Sequence, residues 1–165
     1  MLTPTVVRTW APRGQTPFLR PSQRHDRISV ISGISVSPTR RRVGLYYQWH
    51  HPNIRDVQAV AFLRHLLRHL RGPIVLVWDN LGVHRAALVR RLCRRVPRLR
   101  LEFLPAYAPE LNPDEGVWRQ TKRQLANGCP VDRVALALAV LRALETVRRS
   151  PTQLRSCLAH SGLRL

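Results

Sequence analysis

The sequence is short of acidic residues, and it contains a single lysine, Lys122. Nine Asp and Glu stand against 28 Lys and Arg, which gives a formal net charge of +19. Codon bias in a GC-rich genome can favour Arg over Lys, but it does not explain so large an excess of positive over negative charge. The excess is more than solubility needs, and it favours a polyanion such as DNA as the partner.

Cysteine is scarce, and long apolar runs are missing. Cys93, Cys129 and Cys157 are odd in number and far apart, which argues against a zinc site and favours a reducing compartment. No apolar run approaches the roughly 20 residues that a membrane span needs, and the N-terminus has no charged-then-apolar leader. We therefore expect a cytoplasmic, DNA-associated protein with no membrane partner.

The chain is long enough to bury a core of its own. At 165 residues and 44% apolar content, it should fold as a single domain over residues 1–165. Residues 131–165 are predicted to form a C-terminal helical extension of that domain.

A βαβ unit is predicted over residues 74–104. The apolar, β-branched run Ile74 to Trp78 is typical of a strand buried on both faces. A helical pattern with Leu88 and Leu92 on one side follows, and Leu99 to Leu104 forms the next strand. The two strands of such a unit are parallel.

Two acids lie on the elements that end this region. Asp79 follows the first strand, at the carboxyl end where sites form in parallel sheets. A Pro-rich loop over residues 105–113 leads to Asn112-Pro113, which predicts a helix with Asn as N-cap and Pro as first residue. Glu115 then falls in the first turn of that helix, beside Asp114.

The rest of the chain supplies further strands and helices. Alternation predicts antiparallel strands over residues 27–37 and 43–49, and two shorter strands, at Val6 to Trp10 and around Phe18, joined by a turn at Pro12-Arg13-Gly14. A helix is predicted over residues 54–70 with Asn53 as its cap. Another is predicted over residues 131–149 with Val134, Leu138, Leu141 and Leu144 as its stripe, and a short one over residues 151–160.

The residues around the two acids resemble the core of the mariner-like DDE transposases, in particular their bacterial insertion-sequence branch. The matching residues are Val77-Trp78-Asp79-Asn80, His84, Phe103-Leu104-Pro105, Tyr107, Pro109 to Pro113, Glu115 and Trp118, and Arg8 to Gly14 resembles the family's hairpin. The resemblance implies an α/β, RNase H-like fold with a mixed sheet, the antiparallel strands coming first and the parallel βαβ unit second, flanked by helices. It also implies metal-dependent cleavage and joining of transposon DNA.

The resemblance is incomplete at the N-terminus. The family carries a first catalytic Asp on its first strand, and that position falls before Met1; Asp26 and Asp56 do not match it. The family's helix-turn-helix module is also missing. The chain is therefore interpreted as a C-terminal piece with a missing or incomplete first strand, either a truncated copy or the second half of a split reading frame.

The resemblance assigns catalysis and metal binding to Asp79 and Glu115. Two Mg²⁺ (or Mn²⁺) ions can stabilise the attacking and leaving oxygens of a phosphodiester cleavage, and Mg²⁺ takes one or two carboxylates. With only two acids, we expect weak binding of one ion. Each acid also has a structural alternative, since Asp79 could form an Asx-type turn and Glu115 stands at the capping-box position.

Further residues are candidates for lining the site or holding DNA. Asn80, His84, Asn112 and Asp114 are candidates for lining the site, although Asn112 suits a cap and His84 a helix start. Trp118 and Tyr107 suit packing as well as DNA contact. Phosphate contacts are expected from the basic residues Arg40, Arg41, Arg42, Arg90, Arg91, Arg94, Arg95, Arg119, Lys122 and Arg123.

Three functions fit the sequence. The first is a DDE transposase catalytic domain that acts on double-stranded DNA, at transposon ends and target, and is inactive or incomplete alone. An upstream transposase fragment and a second copy of the chain are then further candidate partners. The second is a non-catalytic transposase remnant that binds DNA. The third is another RNase H-like nuclease, against which the Pro-rich Asn-Pro-x-Glu loop argues.

Overall fold

The computed structural model describes residues 7–8, 10–15, 28–51, 53–128 and 130–163. Short 3-10 turns at Gly82–Arg85 and Pro109–Leu111 lie in two of the loops. Over the described residues the strands and helices follow in the order β1 (Ser29–Val36), β2 (Val43–His50), α1 (Asp56–His69), β3 (Ile74–Trp78), α2 (Ala87–Arg95), β4 (Leu99–Phe103), α3 (Pro113–Leu125), α4 (Arg133–Arg148) and α5 (Pro151–His160).

Strands β1 and β2 form the predicted antiparallel hairpin. Their register runs from Ser29 opposite His50 to Val36 opposite Val43. The connecting turn closes through a hydrogen bond from the Ser37 N–H to the Arg42 carbonyl, 2.9 Å long. The basic segment at residues 40–42 therefore projects at the tip of the hairpin.

The hairpin is the middle layer of three, because its side chains alternate between two apolar cores. On one face, Ile31 packs in a core with Phe62 and Leu63 of α1. On the other face, Leu45 packs in a core with Val117 of α3 and with residues of α4 and α5. Helices α1 and α2 thus lie on one side of the hairpin, and α3, α4 and α5 lie on the other.

Strands β3 and β4 confirm the predicted parallel βαβ unit. They pair from Ile74 opposite Leu99 to Trp78 opposite Phe103, and α2 connects them. The prediction that β3 is buried on both faces is wrong. Val75 and Val77 are 64% and 54% exposed, because the described residues cover only the face that packs on α1 and α2.

The two strand pairs are separate hydrogen-bonded ladders among the described residues. They are joined through side chains, since Ile31 of β1 and Trp78 of β3 lie in one core with α1. The order of an antiparallel pair followed by a parallel βαβ unit matches the predicted α/β class.

Three helix details differ from the sequence patterns. The cap of α1 is Arg55 rather than Asn53, and the Gln58 side chain accepts from the Arg55 N–H. In α2 the buried residue is Val89, whereas Leu88 is 41% exposed. In α4 the buried stripe is Ala137, Val140, Ala143, Leu144 and Val147, whereas the predicted stripe members Val134 and Leu138 are exposed.

Only part of the N-terminal prediction falls on described residues. Val7, Arg8 and Trp10 are in no strand, and the remainder of those two predicted strands, including Phe18, lies outside the described residues. The backbone of Val7 bonds instead to the Asn127 side chain, in both directions at 2.9 Å. The turn at residues 12–15 is present, with Gly14 at φ +83°, a conformation that glycine adopts without strain.

The described helices are all too short or too polar to span a membrane. The core is instead that of a layered α/β protein. Its two apolar clusters meet the two faces of one hairpin.

Glu145 of α4 should make the stability of the protein depend on acid pH. Its carboxylate accepts from Arg148, Arg149 and Tyr47, and the two arginines, with a smaller effect of Tyr47, hold its pKa down at about 2 against an ordinary 4.5. A lowered carboxyl pKa stabilises the fold above the ordinary pKa, and this contribution is lost as pH falls toward 2. Glu145→Gln should therefore be less stable than wild type at neutral pH, with the difference shrinking below pH 4.5.

Urea unfolding of the two proteins across this pH range measures the effect. Tyr47→Phe keeps both arginine contacts and should lose less stability than Glu145→Gln. Parallel pH profiles for wild type and Glu145→Gln would contradict the assignment.

Gly116 should be required for the packing of α3 on α5. A Cβ at this position would lie 2.9 Å from Cys157 Sγ and 3.3 Å from Cys157 Cα, so side-chain rotation alone cannot relieve the overlap. Gly116→Ala gains about 1 kcal/mol of helix propensity, but overpacking costs about 1–3 kcal/mol. We expect net destabilisation in chemical denaturation.

Gly82→Ala is the matched control, because nothing lies within 4 Å of its added Cβ. Equal stability of the two variants would contradict the close helix approach.

Candidate functional site

Asp79 lies at the carboxyl end of β3, as its sequence position predicts. The parallel ladder extends to Trp78, the residue before Asp79, because the Leu104 N–H donates to the Trp78 carbonyl at 2.8 Å. Asp79 Oδ1 accepts from the Leu81 N–H at 3.2 Å, so the Asx-type turn is formed. The side chain is 40% exposed, which leaves the rest of the carboxylate open to solvent.

His84 contacts the Asp79 carboxylate and fixes its orientation. Its Nδ1 lies 2.5 Å from Asp79 Oδ1, and its ring stacks on Trp78 at a centroid distance of 3.7 Å. Burial lowers the pKa of His84, and this effect outweighs the opposing influence of Asp79. The neutral ring is therefore favoured, with Nδ1–H donating to the carboxylate. His84 is a buried support of Asp79 rather than an exposed helix-start residue.

Asn80 ties the ends of the two parallel strands together. Its Nδ2 donates to the Leu104 carbonyl at 2.5 Å, and its Oδ1 accepts from the Arg85 guanidinium. Arg85 in turn lies over the Phe103 ring, 4.7 Å from its centroid. Both polar groups of the Asn80 side chain are thus engaged in holding the loop that follows Asp79.

Asn112 is the N-cap of α3, as predicted. Its Oδ1 accepts from the Asp114 N–H at 3.1 Å, and Pro113 is the first helical residue. The capping box with Glu115 is not formed, because the Asn112 N–H donates to the Pro109 carbonyl. Within the described part of the chain, the exposed Glu115 carboxylate has no hydrogen bond or ion pair, so it is open to an external ligand.

Asp114 points inward, unlike its neighbour Glu115. Its Oδ2 accepts from Ser32 Oγ at 2.7 Å and from Trp118 Nε1 at 3.1 Å, while its buried Oδ1 has no partner among the described residues. Burial raises the pKa of this carboxyl to about 6, although the two hydrogen bonds lower it. The negative charges of Glu115 and Asp79 raise the same pKa further. Both of these carboxylates therefore act electrostatically on the same buried group.

The donor set suits a hard cation. Asp79 and Glu115 offer carboxylate oxygens, the ligands that Mg²⁺ and Mn²⁺ prefer, and Mg²⁺ usually takes one or two of them. No group of three or more His, Cys, Asp or Glu side chains is close enough to bind a metal within the described ranges. The residues fit a cation that completes its coordination with water.

Two of the remaining candidates suit different roles. Trp118 is a packing residue, since it lies against the core of α3, α4 and α5 and donates to Asp114. Tyr107 is fully exposed in the Pro-rich loop at φ +59°, so no packing in the described structure accounts for it.

The basic candidates fall into three groups. Arg40, Arg41 and Arg42 are exposed at the hairpin tip, where the first two carbonyls accept from Arg155 of α5. Arg119, Lys122 and Arg123 are exposed on α3 beyond Glu115. The third group is exposed on α2 and consists of Arg90, Arg91, Arg94 and Arg95.

Sequence reasoning missed a cleft between α3 and α5. It has a volume of about 760 Å³ and continues from Glu115 along both helices. The sequence did contain a signal, a repeat of polar residues every four positions on α5. The residues that α5 contributes to the wall include Thr152, Gln153, Ser156 and His160.

Comparison with solved structures identifies the fold. The chain is similar to "Mos1 transposase paired-end complex with left transposon end", at a TM-score of 0.56 and 18% identity over 98% of this chain and 52% of that one. It is also similar to "Crystal structure of the Mos1 Strand Transfer Complex", at 0.53 and 18% over 98% and 51%. A third match is "Crystal structure of the Mos1 mariner paired end complex with Mn", at 0.53 and 19% over 98% and 52%.

These likenesses confirm the RNase H-like α/β fold. The chain spans about half the length of the transposase chains in these complexes. No curated protein matches it. Residues 2–135 match the family described as DDE superfamily endonuclease, which is most of the chain. The chain therefore belongs to the DDE superfamily of endonucleases, and it shares the RNase H-like fold of these transposase chains.

Proposed function

We propose that residues 1–165 are the catalytic domain of a DNA transposase, and that Asp79 and Glu115 hold a divalent metal ion for cleavage and strand transfer of transposon DNA. One observation carries this proposal. Asp79 at the end of β3 and Glu115 in the first turn of α3 both act electrostatically on the buried Asp114, and both keep oxygens that no described residue occupies. The family membership supplies the reaction class.

Each residue of the site has a role in this function. A bound Mg²⁺ or Mn²⁺ supplies charge stabilisation for the attacking and leaving oxygens of the phosphodiester. Asp79 and Glu115 hold that ion. His84 donates to Asp79 and fixes the orientation of its carboxylate. Asn80 fixes the loop that follows the strand, and Asn112 fixes the first turn of α3, from which Glu115 projects.

Among the described residues, two open carboxylates, Asp79 and Glu115, serve the proposed site. Asp114, the nearest third acid, is already engaged by Ser32 and Trp118 and points into the core. Two carboxylates bind a hard cation more weakly than three. A further carboxylate is therefore supplied by another segment, either an upstream transposase fragment or a second copy of the chain.

A non-catalytic DNA-binding remnant is the second candidate function. The observation that favours it is that the described residues bring two open acids to the proposed site, where the resemblance implies three. Both functions require DNA binding, but only the first requires a metal at Asp79 and Glu115. Metal binding therefore separates them.

Double-stranded DNA is the proposed partner, and its binding should depend steeply on salt. Each neutralised phosphate changes the slope of log K against log salt by about −0.9, so 6–10 contacts lose about 10³–10⁵ in affinity between about 50 and 200 mM salt. Fluorescence anisotropy with a labelled duplex measures this slope. An affinity that does not change over this range would count against a phosphate-driven interaction.

The metal assignment predicts that two variants lose Mn²⁺ affinity to a similar extent. Asp79→Asn and Glu115→Gln should each weaken Mn²⁺ binding by roughly tenfold or more, because each removes one of two carboxylate ligands. Water-proton relaxation of the Mn²⁺ solution measures the affinity. Glu102→Gln is the control, since that exposed acid on β4 pairs with Arg100.

Two results would contradict the assignments. Wild-type Mn²⁺ affinity in either site variant would show that the ion is not held there. Robust strand transfer by the chain alone would show that its site needs no further carboxylate. We expect little or no Mg²⁺-dependent nicking from the chain alone. In an assembly with a segment that supplies a further carboxylate, Asp79→Asn should abolish Mg²⁺-dependent nicking.

A further inference from the structure

The cleft between α3 and α5 begins at the candidate metal site and runs away from it. Its α3 wall includes a charged stripe, because Glu115, Arg119 and Arg123 are spaced by four residues. Its α5 wall has the same spacing, through Thr152 and Ser156 to His160. One step of four residues rises about 6 Å along a helix, so each wall presents a polar group at regular intervals.

The floor of the cleft is formed where the two helices approach closely. Gly116 allows this approach, since a Cβ there would overlap Cys157. Gln120 Nε2 donates to Cys157 Sγ at 3.2 Å, which fixes the floor between the walls. Gln153 leaves its Oε1 buried with no partner among the described residues.

The charges along the cleft change sign. Glu110 and Glu115 line one part of the cleft, and Arg119 and Arg123 line its continuation along α3. Arg119 is one helical turn from Glu115, a spacing that favours an ion pair, yet no ion pair joins them in the described structure. The two exposed guanidiniums are therefore available to an anion, while the acidic end suits a cation.

We propose that this cleft binds the sugar-phosphate backbone of one DNA strand and leads it away from the metal site, with Arg119 and Arg123 contacting successive phosphates. The inference rests on the proposed function and adds the path of its substrate. A polynucleotide fits because it repeats an anion at regular spacing, as the arginines do. The exposed hydroxyl group of Ser156 suits its sugars and base edges.

Charge removal tests the two arginines. Arg119→Gln/Arg123→Gln should weaken binding of a fluorescein-labelled single-stranded oligonucleotide about tenfold or more in metal-free buffer. The slope of log K against log salt should fall by about 1.4, because two contacts are lost at about 0.7 each for single strands. The matched control is Arg64→Gln/Arg68→Gln, two exposed arginines with the same spacing on α1, in the opposite layer. It should change affinity less than about twofold.

A neutral variant tests the cleft itself. Ser156 is exposed on the α5 wall, so Ser156→Leu fills the cleft with little effect on folding and no change in charge. It should weaken oligonucleotide binding several-fold. Thr146→Leu, an exposed position on α4 outside the cleft, should leave binding unchanged. Circular dichroism of all variants checks that the fold is retained.

The outcomes separate this inference from the proposed function. Equal losses from the α3 and α1 arginine pairs would show diffuse electrostatic attraction and overturn the cleft proposal, as would wild-type binding by Ser156→Leu. Neither result would alter the Mn²⁺ measurements on Asp79 and Glu115. Wild-type Mn²⁺ affinity in Asp79→Asn and Glu115→Gln would instead overturn the metal site. It would leave the cleft proposal standing if the cleft variants still weaken oligonucleotide binding as expected.

Discussion

The position of Glu115 depends on a contact made by the residue before it. Asp114 is anchored to β1 through Ser32 and to its own helix through Trp118, so the first turn of α3 is fixed against the hairpin. Burying a carboxyl group with one unpaired oxygen is costly, and the raised pKa of Asp114 reflects that cost. Because Asp114 points inward, its helical neighbour Glu115 points outward and is exposed to solvent.

Local patterns predicted the elements of this site because the causes of those elements are local. An Asn-Pro pair caps a helix through its own side chain and fixed φ, and an apolar run between turn residues becomes a strand whatever surrounds it. The hairpin, the βαβ unit and the start of α3 are therefore where the sequence places them. The structural alternatives for the two acids, an Asx-type turn at Asp79 and a capping box at Glu115, had different outcomes. Asp79 does form an Asx-type turn, whereas the capping box of Glu115 is absent because Pro109 accepts the cap N–H.

The predictions that were wrong concern which face of an element is covered. Val75 and Val77 of β3 have the composition of buried residues, yet the described helices α1 and α2 cover only the other face. In α4 the stripe shifts to small residues such as Ala137 and Ala143, which allow close helix packing that a count of large apolar residues does not show. The cleft between α3 and α5 was missed for the same reason, because two helices 26 residues apart in sequence, from Leu125 to Pro151, must first be brought together.

Because acidic residues are few in this chain and basic residues are many, an acidic side chain that has no cationic partner is informative. With 28 basic residues in the chain, a carboxylate on the surface finds a cationic partner easily, and Glu102 and Glu145 do so. Asp132 caps α4, and Asp114 is bound within the core. Glu115 has an arginine one turn along its own helix and does not pair with it in the described structure. A negative charge left open beside so many positive ones is best explained by a ligand that is itself a cation, and the separated arginine is then left for the phosphates of the strand on which that cation acts.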